Sequence, residues 1–336
     1  MQRKQVQELN VLRTLACLSI VLLHSTTQNA AVTSNIENHG YQFFRIALCY
    51  ATPTFILISV IILGMNYKEN IPKGFWSKRL QYIFIPYLFW AAIDVIVVKD
   101  LWPNKDIGEK IIQNFIYGNH IGWFVLVILQ MYAVFQLVKK LNFDMKIGSV
   151  LMIFTSLAYL SMLRMPLPFI MENLLWLRLF FPAWLGYFAI AYLIGTYYEQ
   201  FSTYIFKKRY FTIGLVVISL LILYIGYENG YIIVNSRRID IIPLVISVTL
   251  FVIAWGKKLP NLRSVNFISG CSFGIYLVHW QVQRYIAGYT SKVSDNTFIQ
   301  VSVLFLASFI LSVIIVKLLS STVVGEFIIG KSNKRK

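Results

Sequence analysis

The sequence predicts an all-α integral membrane protein, a polytopic bundle of about ten transmembrane helices. Of its 336 residues, 57% are hydrophobic and only 13% are charged, a composition that is unusual for a soluble globular domain. Apolar runs of about 20 residues, the length at which a helix crosses a bilayer, recur along nearly the whole chain. The basic residues come in short clusters between these runs.

The hydropathy pattern places ten apolar runs in order along the chain. The predicted spans are 9–28, 42–65, 79–98, 121–138, 147–164, 179–198, 210–227, 239–256, 265–287 and 297–319. Residues 1–330 are therefore predicted to form one transmembrane domain, followed by a short basic cytoplasmic tail, 331–336. The outer loop 99–120 is the longest predicted segment outside the membrane, and its mixed charges are typical of a solvated loop.

Both termini are predicted to lie in the cytoplasm. An even number of spans puts the two ends on one side, and the distribution of basic residues decides which side that is. Lys and Arg are about twice as numerous in one alternating set of ends and loops, which includes 139–146 and 207–209, as in the other set. The formal net charge of +17 therefore reports membrane topology, and no nucleic acid is expected as a partner.

The first predicted span carries two polar residues, Arg13 and His24. Eleven residues of α-helix turn through about 1,100° and rise about 16 Å, so the two side chains share one face. A charged side chain at the bilayer centre costs at least about 2.5 kcal/mol, and such residues usually face a bundle interior or a wet cavity. The blander interpretation is that Arg13 extends to the cytoplasmic headgroups and that His24 marks the outer end of the helix.

A second polar face lies in the ninth predicted span. Ser272, Tyr276 and His279 follow at helical spacing in the stretch SFGIYLVHW, so they share one side of the helix. His24 and His279 lie at similar distances from the predicted cytoplasmic ends of their helices, and the two imidazoles are therefore expected to meet at one depth. Imidazole is the side chain best suited to move protons near neutral pH.

Alternatives stay open around these histidines. Metal binding is the rival use of the pair, but no clear set of further ligands accompanies it in the sequence, so no metal is expected. Asp94 in the third predicted span reaches a similar depth. It either orients one imidazole or is a structural carboxylate near the outer interface.

These residues carry a resemblance to a known family. Arg13, ten residues and then His24 resemble the Arg-x10-His signature of the acyltransferase family 3 membrane proteins. Further stretches resemble landmarks of that family in the same order: KRLQYIFIPYLFW at 78–90, NHIGWFVLVILQ at 119–130, YFAIAYLIG at 187–195 and SFGIYLVH at 272–279. Within the family, ATPTFILIS at 51–59 and EFIIGK at 326–331 are most similar to the intercellular-adhesion-type polysaccharide acyltransferase subgroup.

The resemblance implies a membrane-bound O-acyltransferase in the bacterial cytoplasmic membrane. Such an enzyme moves an acetyl or succinyl group from cytoplasmic acyl-CoA to a hydroxyl of an envelope glycan or lipid-linked sugar, beside polysaccharide-synthesis proteins. The alternative is an exporter of a polysaccharide or lipid-linked sugar without acyl chemistry. The sequence does not show the inverted repeat of broken helices that many carriers have.

The resemblance also implies roles for the donor-side residues. Arg13 and Arg79 would bind the anionic phosphates of acyl-CoA, although a positive-inside anchor explains Arg79 equally well. His24 would meet the thioester, either as general base for an acceptor hydroxyl or as a transient acyl carrier.

On the acceptor side the implied roles are less specific. Tyr276 and Ser272 would donate hydrogen bonds to the developing oxyanion or position His279, or they would simply pack. Trp123 and His120 would stack on a sugar at the outer mouth of the fourth span, whereas interfacial anchoring accounts for Trp123 with fewer assumptions.

Overall fold

The structure is a computed structural model that describes residues 6–33, 39–141 and 144–331. These residues form helices and no strand, as the predicted fold class requires. Apart from Lys331, the predicted basic tail lies outside the described residues. The α-helices are α1 (Gln7–Thr33), α2 (His39–Leu48), α3 (Ala51–Asn66), α4 (Phe75–Arg79), α5 (Ile85–Leu101), α6 (Ile107–Phe115), α7 (Trp123–Lys140), α8 (Met145–Met162), α9 (Pro168–Glu172), α10 (Leu174–Leu179), α11 (Leu185–Thr196), α12 (Tyr198–Lys207), α13 (Arg209–Glu228), α14 (Ile242–Gly256), α15 (Arg263–Thr290), α16 (Thr297–Ser320) and α17 (Gly325–Ile329).

Nine helical segments of the described chain are long and apolar enough to cross a membrane. They are Gln7–Thr33, Gly40–Asn66, Phe75–Leu101, Trp123–Lys140, Met145–Met162, Leu177–Thr196, Arg209–Glu228, Ile239–Gly256 and Thr297–Ser320. Each coincides with one of the predicted spans. The remaining predicted span, 265–287, forms the 28-residue helix α15, but its Ser, His, Gln and Arg side chains lower its hydropathy, so it is not among the nine.

Several helices begin at side chains that accept hydrogen bonds from the first turn. The Asp106 carboxylate accepts from the amide of Glu109 at the start of α6, and Asn296 accepts from the amides of Phe298 and Ile299 at the start of α16. Such caps stabilise a helix because its first four amides have no partner within it. The cap at Asp106 gives the predicted outer loop a helix of its own.

The chain packs as two compact units. The first contains the described residues of Met1–Ile20, Ile36–Ile71 and Gln130–Ser269. In it, α3 and α11 cross closely at Gly195. A Cβ added there would lie 2.5 Å from the backbone oxygen of Ile61, so only glycine fits at this position. The prediction of a single domain over 1–330 stays a prediction.

The second unit contains the described residues of Val21–Asn35, Pro72–Leu129 and Gly270–Lys336. Buried polar side chains join its elements. The indole of Trp90 on α5 donates to the carbonyl of Ile328 on α17 over 2.9 Å, and the amide of Asn29 on α1 donates to Gln300 on α16 over 3.0 Å. Such contacts hold apolar helices in one register where lipid offers no hydrogen-bond partner.

Candidate active site

The two imidazoles predicted to meet are in contact in the second unit. His24 Nδ1 on α1 lies 2.8 Å from His279 Nε2 on α15, and the planes of the two rings are nearly parallel, at 11°. A hydrogen bond of this length requires one proton between the two nitrogens. The predicted meeting of His24 and His279 is therefore confirmed, while their catalytic roles stay predictions.

The direction of that hydrogen bond follows from the next contact along the chain of atoms. His279 Nδ1 lies 2.9 Å from the carbonyl oxygen of Ile275. A carbonyl oxygen only accepts, so Nδ1 of His279 carries a proton, and in the neutral ring Nε2 is then an acceptor. His24 Nδ1 must donate to it. Neutral His24 therefore has an unprotonated Nε2, which has no hydrogen-bond partner among the described residues.

The two histidines differ in exposure. His279 is completely buried, whereas His24 is partly exposed. The ring of Trp280 meets His24 edge-on, with 5.1 Å between the ring centroids. His24 is thus the more accessible member of the pair.

Gln283 fixes the position of α15 against α1, and sequence reasoning missed it. Its amide nitrogen donates to the carbonyl of Val21 over 3.0 Å and to the hydroxyl of Ser25 over 2.8 Å. Gln283 is completely buried. It lies one helical turn beyond His279, on the same side of α15, and this spacing was the signal that could have identified it.

Tyr276 and Ser272 are both buried on α15. The hydroxyl of Tyr276 donates to the carbonyl of Ile121, and its ring centroid lies 6.1 Å from that of His279. Tyr276 therefore joins α15 to the segment that precedes α7. Its hydroxyl is occupied by a backbone acceptor, and the predicted roles of both residues stay predictions.

Asp94 does not contact either imidazole. This buried carboxylate on α5 accepts from Arg284 over 2.6 Å, from Gln281 over 2.8 Å and from Asn114 over 3.0 Å, and Lys110 lies 2.8 Å from its second oxygen. Of the two interpretations of Asp94, the structure places it as the centre of a charged cluster. Its predicted role in orienting an imidazole has no geometric support, because the Ile275 carbonyl occupies that place.

The same cluster corrects the prediction for the outer loop. Lys110 belongs to α6, and its side chain is only 15% exposed beside Asp94. Asn114, on the same helix, is completely buried. The mixed charges of the loop are therefore not all solvated, because α6 turns a polar side towards α5 and brings Lys110 to a carboxylate within the membrane-spanning part of the chain.

His120 and Trp123 are close to this cluster in sequence but differ in setting. His120 is 7% exposed, its ring centroid lies 4.8 Å from that of Tyr87, and neither of its ring nitrogens has a hydrogen-bond partner among the described residues. Burial lowers the pKa of His120 from the ordinary 6.5 to about 4. His120 is thus a neutral, covered imidazole, whereas Trp123 is partly exposed. The predicted roles of both residues in binding a sugar stay predictions.

The predicted donor-side residues have different surroundings. Arg13 is partly exposed and its guanidinium lies 3.5 Å from the hydroxyl of Ser269, which in turn donates to Asn10. Arg79 folds back on its own helix, where it donates to the carbonyl of Phe75 over 2.9 Å and covers that residue's ring. Phosphate binding by either residue stays a prediction.

Within the described residues, no group of three or more His, Cys, Asp or Glu side chains is arranged to hold a metal ion. At the histidine pair, two imidazoles are joined by a hydrogen bond. One ring is buried and held by a backbone carbonyl, and the other offers a lone pair.

Residues 6–317 match the family model described as "Acyltransferase domain". The putative membrane-bound acyltransferase YfiQ of Bacillus subtilis is 31% identical over 295 residues, which cover 82% of this chain and 80% of the relative. Relatives named probable poly-beta-1,6-N-acetyl-D-glucosamine export protein also match. The one from Staphylococcus aureus (strain MSSA476) is 25% identical over 344 residues, 96% of this chain and 95% of the relative.

The export protein from Staphylococcus epidermidis is 23% identical over 350 residues, which cover 98% of this chain and 96% of the relative. No solved structure matches the chain.

Proposed function

Because the chain belongs to the Acyltransferase domain family, and is therefore a multi-pass membrane acyltransferase of groups other than aminoacyl groups, we propose that it acylates a glycan. The proposed reaction moves an acetyl or succinyl group from cytoplasmic acyl-CoA to a hydroxyl of an envelope glycan or lipid-linked sugar. The observation that carries the proposal is the 2.8 Å contact between His24 Nδ1 and His279 Nε2, since it leaves Nε2 of His24 as a base.

In the proposed reaction, the acceptor hydroxyl loses its proton to Nε2 of His24 while its oxygen forms a bond to the thioester carbonyl carbon. The carbon–sulfur bond then breaks, and the departing thiolate takes the proton from His24. The protonated His24 is stabilised because its Nδ1–H donates to His279, which in turn donates to the Ile275 carbonyl. This relay follows the logic of a serine-protease triad, with His279 in the place of the carboxylate.

Nε2 of His24 is also the nitrogen that would become acylated if the enzyme forms a covalent intermediate. A buried His279 supports either route, because it orients His24 and disperses the positive charge. Ser272 and Tyr276 are candidates for stabilising the oxyanion. For Tyr276 this requires its hydroxyl to leave the carbonyl of Ile121.

The donor carries anionic phosphates, and Arg13 and Arg79 are proposed to bind them. Arg13 lies about 16 Å along α1 from His24, by the rise of an α-helix. Because the guanidinium of Arg79 already covers the ring of Phe75, Arg13 is the stronger candidate of the two.

The names of the staphylococcal relatives favour a second function, export of a polysaccharide without acyl chemistry. Two observations support acyl transfer over it: the histidine relay, and the acyltransferase named in Bacillus subtilis, which has the higher identity of the relatives described here. Transport alone gives no physical reason for a base that is oriented by two further hydrogen-bonded groups.

Envelope glycans of a wild-type strain, a deletion strain and a His24→Ala strain test the proposal. The expected result is a base-labile ester on the glycan of the wild type that is absent from the other two strains, while the His24→Ala protein still inserts in the membrane. An ester profile that is the same in all three strains would contradict it. Normal glycan export by the His24→Ala strain, with no acyl-donor requirement in vesicles, would favour the exporter.

A further inference from the structure

A cleft with a volume of about 540 Å³ opens in the second unit between the end of α5, the polar side of α6 and α15. It is separate from the histidine pair, and the proposed function does not use it. Six of its side chains carry the argument: Trp102, Glu109, Lys110, Gln113, Asn119 and Arg284. Clefts of a few hundred Å³ with a small number of fixed polar groups are the usual form of small-molecule sites.

The floor of the cleft is held rigid from behind. Arg284 and Lys110 both face it, and both are fixed by the buried carboxylate of Asp94, at 2.6 Å and 2.8 Å. Two cations share one carboxylate, so the floor keeps a positive charge. Their hydrogen-bond donors are in place before any ligand arrives, which lowers the entropic cost of binding.

One wall is an exposed aromatic ring. Trp102 is 43% exposed, and the guanidinium of Arg284 lies 5.6 Å from its ring centroid. A cation over an indole is stabilised by the ring's π electrons, so the ring is held in place. The ammonium nitrogen of Lys105 also lies 5.6 Å from the ring centroid. The part of the indole that stays exposed is a flat apolar platform of the kind on which the C–H face of a sugar ring packs.

The rim consists of planar polar groups that bond to one another. The amide of Gln113 donates to Glu109 over 2.6 Å, and the amide of Asn119 donates to the side-chain oxygen of Gln113 over 3.3 Å. Amides and carboxylates offer paired donors and acceptors, which match the adjacent hydroxyls of a saccharide. The chemistry of the cleft therefore combines an apolar platform with hydroxyl-matching groups.

A series of side chains joins the cleft to the histidine pair. The guanidinium of Arg284 lies 5.3 Å from the ring centroid of Trp280, and the ring centroid of Trp280 lies 5.1 Å from that of His24. Arg284 also follows His279 by five residues on α15, a rise of about 7.5 Å. Trp280 therefore lies between the cation of the cleft and the base.

The opposite side of α6 indicates where the cleft lies. Ile111, Ile112 and Ile116 are 45%, 47% and 57% exposed there. An amphipathic helix with an uncovered apolar side rests at a membrane surface. The polar side of α6, which lines the cleft, then faces a substrate at the headgroup level.

We propose that this cleft binds the saccharide acceptor, with Trp102 as the stacking platform and Gln113, Asn119 and Glu109 as hydroxyl partners. That the ligand is the acceptor rests on the proposed function, whereas that it is a saccharide rests on the chemistry of the cleft. The proposal assigns sugar recognition to Trp102, in the place that Trp123 and His120 were predicted to fill.

Binding to the full-length protein in lipid nanodiscs tests the proposal, with a β-1,6-linked N-acetylglucosamine pentamer and maltopentaose as probes. Trp102→Ala is expected to weaken binding of the preferred probe by about tenfold, equivalent to about 1.4 kcal/mol, and Trp102→Phe to retain most of the affinity. Tyr289→Ala is the matched control because it removes another exposed aromatic ring of the second unit, and it is expected to bind like the wild type.

A saccharide affinity that is unchanged in Trp102→Ala would overturn the proposal. A wild-type protein that binds neither probe would also overturn it. A parallel assay separates this failure from failure of the proposed function. In acyl transfer from acyl-CoA to the saccharide, Trp102→Ala is expected to lose activity, whereas Tyr289→Ala is expected to keep the activity of the wild type. If the wild type binds saccharide through Trp102 but never turns over acyl-CoA, the cleft assignment stands and the acyltransferase mechanism fails.

Discussion

Two buried polar clusters each include residues of α15, one around Asp94 and the other at the histidine pair. They differ in whether the acceptor atom at their centre has a hydrogen-bond partner. The carboxylate of Asp94 is surrounded by four donors, and two of them are cations. At the histidine pair the chain of hydrogen bonds ends at Nε2 of His24, which has no partner among the described residues.

This difference distinguishes polar residues that stabilise a membrane protein from polar residues that are available for a reaction. A charge within the bilayer is costly unless it is paired, so stability requires partners such as those of the Asp94 carboxylate. An ordered relay that ends in a free lone pair has no such explanation. It gives the molecule a base at a fixed position, which is what group transfer requires.

The largest expected effect is at the open end of the relay. His24→Ala should lower the rate of acyl transfer by about 10³-fold, because general-base catalysis contributes about 10²- to 10⁴-fold. The measurement is acyl-CoA-dependent ester formation by the purified protein in vesicles. Thr27→Ala, one turn along α1, is the control and should keep wild-type activity; equal losses in both variants would contradict the assignment.

Replacing Asp94 should affect the stability of the protein more than its rate of acyl transfer. Asp94→Asn leaves Arg284 and Lys110 without their counter-charge, and breaking a buried pair in this way costs about 3 to 5 kcal/mol. Thermal unfolding in detergent measures the loss. The control is Asp100→Asn, which changes an exposed carboxylate on the same helix that accepts from Tyr285 over 2.9 Å. Similar stability of the two variants would show that the cluster is not structural.

The inner member of the relay should have a smaller kinetic effect than the outer one. His279→Gln keeps a donor and an acceptor but cannot share the positive charge in the same way, so we expect about a 10²-fold loss in rate. A shifted pH–rate profile should accompany it, because the basicity of His24 depends on its partner. A loss as large as in His24→Ala, without any pH shift, would instead assign direct chemistry to His279.

The smallest expected effect concerns the buried imidazole of His120. Its pKa in the folded protein is lowered to about 4 from 6.5, so folding releases its proton between these values. The stability it contributes is therefore complete above pH 6.5 and is lost as the pH falls towards 4, by at most about 3 kcal/mol. The unfolding temperature of the wild type should fall more between pH 7 and pH 5 than that of His120→Leu. Equal shifts would contradict burial of His120.

The meeting of His24 with His279 was predictable because helix periodicity and depth in the membrane together determine which side chains share a level. The relay beyond them was not. The Ile275 carbonyl is a backbone group, present at every position and therefore invisible in a sequence pattern. The free nitrogen of His24 follows only from the order of the hydrogen bonds.

The partners of Asp94 were unpredictable for another reason. Lys110 lies in a stretch whose charges are typical of a solvated loop, and its helix is short. A signal for α6 was nevertheless present, because Asp106 followed three residues later by Glu109 resembles an N-terminal capping box. Without coordinates, no feature of the sequence links that helix to Arg284 on α15.

The central claim is that His24 carries its proton on Nδ1 and leaves Nε2 free. Nitrogen-15 NMR of the lipid-embedded protein with labelled histidine rings tests it directly, and the His24→Ala and His279→Ala variants assign the resonances. We predict a protonated Nδ1 and an unprotonated Nε2 for both rings near neutral pH, with hydrogen-bond coupling between them. A proton on Nε2 of His24, or no coupling between the rings, would contradict the account.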